Sequence, residues 1–321
     1  MAEKDNDTAP SPGVYATLES LVALQYEARG FSFLPKQPVH SILSGRHNSR
    51  LRGRGMDFEE VRHYQRGDDI RSIDWKVTAR TREPHTKVYT EERERPVLFI
   101  VDQSQSMFFG SQVAMKSVTA AQGAALGAWR VLAQGDRVGG LIFDDTEVVE
   151  VKPQRSKRAV LRLLKMIVEK NQALGVGRAL EPARPMLAEA LRRAVRLAKH
   201  DYLVVVISDF LGLDEDAVRQ LVVLSRHNDV LGVLVYDPME RTLPEGRLVV
   251  SDGQGQIQVD TRGSGLREAF TERFEQRLRQ VIDTLKRYGI PVMPIETITP
   301  IGPQVRHVLG QRLRAGRLRH R

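Results

Sequence analysis

The sequence predicts an α/β protein whose mostly parallel sheet carries helices on both faces, and three observations lead there. Two short, wholly apolar runs, Val97 to Val101 and Tyr202 to Ile207, lack the alternation of a half-exposed strand and read as strands buried on both sides. Between and after them lie longer stretches with apolar residues at helical spacing. Each run stops abruptly in polar residues, at Asp102 and at Ser208-Asp209, as strands do at the carboxyl edge of an open sheet. Strands alternating with helices imply a mostly parallel sheet with right-handed crossovers.

Taken in order, residues 1–13, with Asp5, Asp7, Pro10 and Pro12, have the composition of a disordered end. Val14, Leu18, Leu21, Val22 and Leu24 fit a short helix from Val14 to Ala28, ended near Gly30, and two prolines mark a linker over 34–40. From Ser44 to Arg95 the texture changes: thirteen Lys or Arg stand among ten Asp or Glu. Alternation near Val61 to Tyr64 and Lys87 to Thr90 predicts short strands there, and Trp75, between Ile73 and Val77, is expected to anchor this segment on the sheet. Asp68, Asp69, Asp74, Arg66, Arg71 and Arg80 are expected to form a paired charge network. Beyond the first buried strand, Val113 to Ala133 is an Ala- and Gly-rich helix able to pack closely, and 135–145 turns into a second buried strand. Val148 to Val151 reads as an antiparallel edge strand. Helices follow over Arg158 to Glu169 and Met186 to Lys199, then the strand within 201–210, and then a helix capped by Asp214. Val230 to Tyr236 is a further strand, 247–260 a hairpin, Leu266 to Leu285 a long helix stopped at Gly289, and Ile290 to Ile295 the last strand.

Composition removes several functional classes. The 321 residues contain no cysteine, which excludes disulfides, thiolate metal sites and cysteine nucleophiles. Eight histidines show no close pairing of the kind zinc sites use. The longest apolar runs fall well short of the roughly 18 to 20 residues needed to cross a bilayer, and the amino terminus is not a basic-then-apolar signal, so a cytoplasmic protein is expected. Of the net charge of +9, six positive charges come from the arginines between Pro303 and Arg321, a stretch without acidic residues. That tail is a solvated end or, alternatively, a nucleic-acid contact. Neither a phosphate-cradling G-x-x-x-x-G-K-[ST] nor a G-x-S-x-G elbow occurs.

The residues after the first buried strand read D-Q-S-Q-S, 102 to 106. One carboxylate and two hydroxyls at alternate positions of a turning loop can aim oxygen atoms at one point. Hard cations such as magnesium take such all-oxygen sites and keep water or a partner's oxygen as further ligands. The same residue types are also ordinary loop and cap formers. Asp102, Ser104 and Ser106 are therefore candidate metal ligands.

The string G-M-D-F-E-E-V-R-H-Y-Q-R-G-D-D-I-R-S-I-D-W-K-V-T-A-R, Gly55 to Arg80, followed by V-L-F-I-V-D-Q-S-Q-S-M, closely resembles a bacterial family known as a domain of unknown function, the fifty-eighth so numbered. Its members carry a von Willebrand factor A-like domain. The resemblance is specific over residues 45–110 and looser to about 300. It implies a von Willebrand A-like fold over 96–300, preceded by an N-terminal helix and linker (14–43) and by the charged segment (44–95) packed on the sheet, and followed by a basic tail (301–321). It also implies a metal-ion-dependent adhesion site to which Asp102, Ser104, Ser106 and Asp209 carry over, taking Mg2+. The threonine that completes such sites does not carry over, because its place in P-M-L-A-E-A-L is taken by Pro185, which has no side-chain oxygen. The implied role is that of a non-enzymatic protein-binding module, partnered by a MoxR-type AAA+ ATPase and client proteins, in the assembly or maturation of complexes. An aspartate at a strand end beside a metal is also similar to haloacid-dehalogenase-type phosphatases, the enzymatic alternative, but Ser104 stands where their second aspartate acts as acid and base.

Overall fold

A computed structural model describes residues 13–30, 56–65, 68–91, 95–175, 186–251 and 256–307. Expectations for residues 1–12, the linker over 34–40, Arg66, Pro185 and the tail beyond 307 fall outside them. In chain order the elements are α1 (Leu18–Ala23), β1 (Met56–His63), α2 (Trp75–Thr81), β2 (His85–Glu91), β3 (Val97–Asp102), α3 (Lys116–Ala133), β4 (Val138–Phe143), β5 (Val148–Gln154), α4 (Lys157–Gln172) and α5 (Met186–Leu197). There follow β6 (Leu203–Ser208), α6 (Glu215–Ser225), β7 (Asp229–Tyr236), α7 (Pro238–Arg241), β8 (Arg247–Ser251), β9 (Gln256–Asp260), α8 (Ser264–Arg287) and β10 (Val292–Glu296). They fall into two compact units, a smaller one within residues 43–94 and a larger one from the rest.

The larger unit is the α/β fold that the apolar runs predict. Its six-stranded sheet has the order β10-β7-β6-β3-β4-β5, with β3 between β4 and β6 and every pairing parallel except β4 with β5. That is the doubly wound order, in which the chain leaves the central strand first to one side and then to the other. The two faces divide the apolar runs between them. Val97, Phe99, Val101, Val205 and Ile207 point into a core shared with α3 and α4, while Leu98, Ile100, Val204 and Val206 point into one shared with α5, α6 and α8. Continuous apolar sequence is thus demanded by two covered faces, each fully buried side chain contributing about 1.5–3 kcal/mol of transfer free energy.

Local chemistry sets the helix ends. Ser156 and Asp214 cap α4 and α6 by accepting from Ala159 N and Ala217 N. The first helix is shorter than expected, starting at Leu18, because Thr17 and Ser20 close a capping box there. Upstream, Ala16 N donates to the buried Asn171 side chain at 2.6 Å, so that stretch is tied to α4 rather than coiled into a helix. Ala16, Leu21 and Ala28 lie in the main core, and Trp129 Nε1 donates to Leu21 O at 3.0 Å. The segment is part of the larger unit. At the other end, residues 301–307 are helical and bury Ile301 and Val305, so the packed domain runs past the 300 expected for it.

In the smaller unit β1 and β2 pair antiparallel, as the alternation predicts. Trp75 heads α2, with Asp74 as its N-cap. Ile73, Trp75 and Val77 share a face only in a strand; with Asp74 capping a helix at Lys76 N and Val77 N, Trp75 and Val77 point in different directions. Arg62 grips Asp68 through two bonds of 2.9 and 2.8 Å, Asp69 accepts from Arg71 N, and Asp74 pairs with Lys87 at 3.4 Å.

Gly139, at the register shift between β4 and β5, has backbone against it on the edge strand: a Cβ there would lie 2.6 Å from Pro153 N and 2.7 Å from Val151 O. Gly139→Ala is expected to cost about 1–3 kcal/mol in urea unfolding, the usual penalty of an overpacked methyl, through separation of the edge strand.

Candidate metal centre at the strand ends

The carboxyl edge of the sheet gathers the predicted residues from two distant parts of the chain. β3 and β6 run side by side in parallel with Val101 opposite Ile207, which sets Asp102 level with Ser208 and one residue short of Asp209. Ser208 Oγ donates to Asp102 Oδ2 at 2.5 Å, a contact across 106 residues. The loop then turns in a single 3-10 turn, Gln105–Met107, and Met107 is buried beneath it. Ser104 donates to Asp102 Oδ1 through both its backbone N, at 2.9 Å, and its hydroxyl, at 2.6 Å, and the Ser104 and Ser106 hydroxyl oxygens are 3.1 Å apart. Asp102, Ser104 and Ser106 therefore converge as the motif predicts.

Asp209 stands differently. Its Oδ1 accepts from Leu211 N and its Oδ2 from the ammonium of Lys116, each at 2.9 Å. Lys116, the first residue of α3, is 1% exposed and also reaches Glu240 Oε1 at 2.8 Å. The next residue, Phe210, takes a left-handed φ of 55° although its ring is buried, a conformation costing about 1–2 kcal/mol in an L-residue. Sequence reading missed Lys116 and Glu240; the signal was a cation at the head of an Ala-rich, largely apolar helix.

Burial pushes the Asp102 carboxyl up to about 7, with the nearby charge of Asp209 acting in the same direction against the hydrogen bonds from Ser104 and Ser208. Burial would raise Asp209 as well, but the Lys116 ammonium outweighs it and holds this carboxyl below the usual range. Lys116 is correspondingly held above its ordinary value: burial opposes the charge, and Asp209 and Glu240 more than restore it.

The donor set suits a hard cation in part. Two ligands at about 2.1 Å on adjacent octahedral positions lie about 3.0 Å apart, close to the separation of the Ser104 and Ser106 hydroxyls, and Asp102 supplies the negative charge. Among the described residues no group of three His, Cys, Asp or Glu side chains converges as a metal cluster, so an ion here depends on hydroxyl ligands. Asp209 contributes its charge to the neighbourhood while its oxygens are engaged by Lys116 and Leu211.

Other polar residues fix the loop. Asp145 Oδ2 accepts from Gln105 N and Asp237 Oδ2 from Ser111 N, at 2.8 and 2.9 Å. Gln103, fully buried, donates to Ser117 O and accepts from Asn171, whose own oxygen holds Ala16 N. Asn171→Leu is expected to cost about 2 kcal/mol or more in chemical denaturation, since it leaves Gln103 Oε1 and Ala16 N buried without partners. At the end of β4, Asp144 is surrounded by Lys170 Nζ at 2.7 Å, the Thr146 hydroxyl and two backbone N–H groups. Burial opposes its charge, but these donors prevail and draw its carboxyl from 3.8 to about 2. A depressed acid stabilises the fold above its unfolded pKa and loses that contribution as pH falls through the folded one. Asp144→Asn is thus expected to flatten the acid limb of the stability profile between about pH 4 and pH 2, read from urea midpoints.

The family described as "Protein of unknown function DUF58" matches residues 60–280. The chain is 31% identical over 265 residues to Uncharacterized protein Rv1480 of Mycobacterium tuberculosis (strain ATCC 25618 / H37Rv), covering 82% of this chain and 81% of that one. Uncharacterized protein Mb1516 of Mycobacterium bovis (strain ATCC BAA-935 / AF2122/97) matches to the same extent. Among solved structures it is similar to the crystal structure of the SpRpn10 VWA domain, with 11% identity, a TM-score of 0.34 and coverage of 66% of this chain and 94% of that one. No helix among the described residues is long and apolar enough to cross a membrane. With a match that takes in both the charged hairpin segment and the strand ends carrying Asp102 and Asp209, the chain belongs to the DUF58 family.

Proposed function

We propose that this chain is a non-enzymatic protein-binding module that docks its partner at the carboxyl edge of the sheet. The observation that carries the reading is the convergence of Asp102, Ser104 and Ser106, with two hydroxyls 3.1 Å apart beside a carboxyl that burial keeps poorly charged. In this reading Ser104 and Ser106 hold Mg2+ directly, Asp102 supplies charge and orients Ser104, and Asp209 lends its field from the neighbouring strand end. When bound, the ion supplies an open coordination position for a carboxylate oxygen of the partner. A hydrolase is disfavoured because Ser104 and Ser106 offer no acid or base beside Asp102, and Ser104 donates its own proton to that carboxylate.

The family resemblance supports a MoxR-type AAA+ ATPase as the partner, and assembly or maturation of other protein complexes as the setting. Calorimetric titration or pull-down with such an ATPase from the same cells tests both parts. Binding is expected to weaken at least tenfold, about 1.4 kcal/mol, when magnesium is replaced by chelator and in Asp102→Ala. Binding indifferent to both changes removes the ion from the mechanism, and no complex with any such ATPase removes the partnership.

A further inference from the structure

We propose that Lys116 is the built-in cation of this edge: its ammonium takes the electrostatic place opposite Asp209 that a divalent ion would otherwise fill, so that ion binding at Asp102, Ser104 and Ser106 works against Lys116. The inference rests on the reading of those three residues as an ion seat, and it names what tunes that seat.

The geometry leaves Lys116 little freedom. Its ammonium lies between Asp209 Oδ2 and Glu240 Oε1, at 2.9 and 2.8 Å, and its side chain is 1% exposed. Both acceptors are held by their own elements. Asp209 Oδ1 is fixed by Leu211 N, and Glu240 Oε2 by the backbone N of Asp237 in the capping box of α7. Lys116 itself is the first residue of α3, which is packed into the core over most of its length. The ammonium is therefore an immobile charge rather than a surface lysine that could swing away.

Asp209 is also electrostatically close to the proposed seat, since its charge is one cause of the raised Asp102 carboxyl. An ion beside Asp102 would feel Asp209 as an attraction, and the Lys116 ammonium, 2.9 Å from Asp209 Oδ2, offsets that attraction. With Lys116 charged, the pair offers it little net charge. At a pH where Asp209 stays ionised without its partner, removal of the ammonium at nearly constant volume frees the charge of Asp209 and Glu240 to act on the ion. Neutralisation of Glu240 alone does the reverse.

Mn2+ titration of the full chain by calorimetry separates these roles. Lys116→Met is expected to bind Mn2+ at least tenfold more tightly than wild type and Glu240→Gln more weakly, whereas a merely structural role for the cluster weakens both. Adding Asp102→Asn to Lys116→Met is expected to abolish the gain. Affinity in Lys116→Met equal to or below wild type overturns the proposal, and if Asp102→Asn still eliminates binding in the wild-type background, the ion seat itself stands. Binding unaltered by Asp102→Asn places the ion elsewhere and overturns both. Should Lys116→Met fold only with the ion present, its unfolding midpoint carries the same information. A larger Mn2+-induced rise in Tm than in wild type supports the proposal, and an equal or smaller one overturns it.

Discussion

Every parallel strand of the sheet ends in a carboxylate, and each of these has to be answered where the sheet edge is closed over. Asp102, Asp144, Asp209 and Asp237 terminate or immediately follow β3, β4, β6 and β7, and Glu296 ends β10. Asp102, Asp144, Asp209 and Asp237 are each less than a tenth exposed. A buried carboxylate without partners costs several kcal/mol, so the loops beyond the strands are organised as a set of donors. Ser104 and Ser208 serve Asp102, Lys170 and Thr146 serve Asp144, Lys116 serves Asp209, and Ser111 N, Met239 N and Thr297 serve Asp237. The edge is held by these contacts rather than by apolar packing, which lies one layer below.

Two of the answers are ammonium groups and two are sets of hydroxyl and amide donors, and that difference separates the roles. Where lysine answers, the local charge is settled within the chain, as at Asp144 and Asp209. Asp102 and Asp237 receive only neutral donors, and of the two only Asp102 is pushed upward.

Much of this architecture was legible in the residues. The apolar runs gave the buried strands because two covered faces remove the polar half of a strand, and the helices after them kept their 3.6-residue spacing. Asp102, Ser104 and Ser106 could be found because a local motif on one loop carries its own geometry. The role of Lys116 could not be read, because its partners lie 93 and 124 residues away and only its position at the head of a largely apolar helix marked it. Over 73–77 the residues Ile73, Trp75 and Val77 fit a period of two, yet the cap at Asp74 commits the stretch to a helix. The helix at 301–307 escaped notice because one apolar pair, Ile301 and Val305, bounded by Pro300 and interrupted by Pro303, is too little periodicity to detect.

The hydrogen-bond chain from Ala16 through Asn171 to Gln103 joins the beginning of the polypeptide to its middle. A ribosome adding about 5–20 residues per second exposes Ala16 on the order of ten seconds or more before Asn171 emerges. During synthesis the first helix therefore waits with Leu21 uncovered, and it closes over the sheet only as a late arrival, after the central strands and α4 exist to receive it.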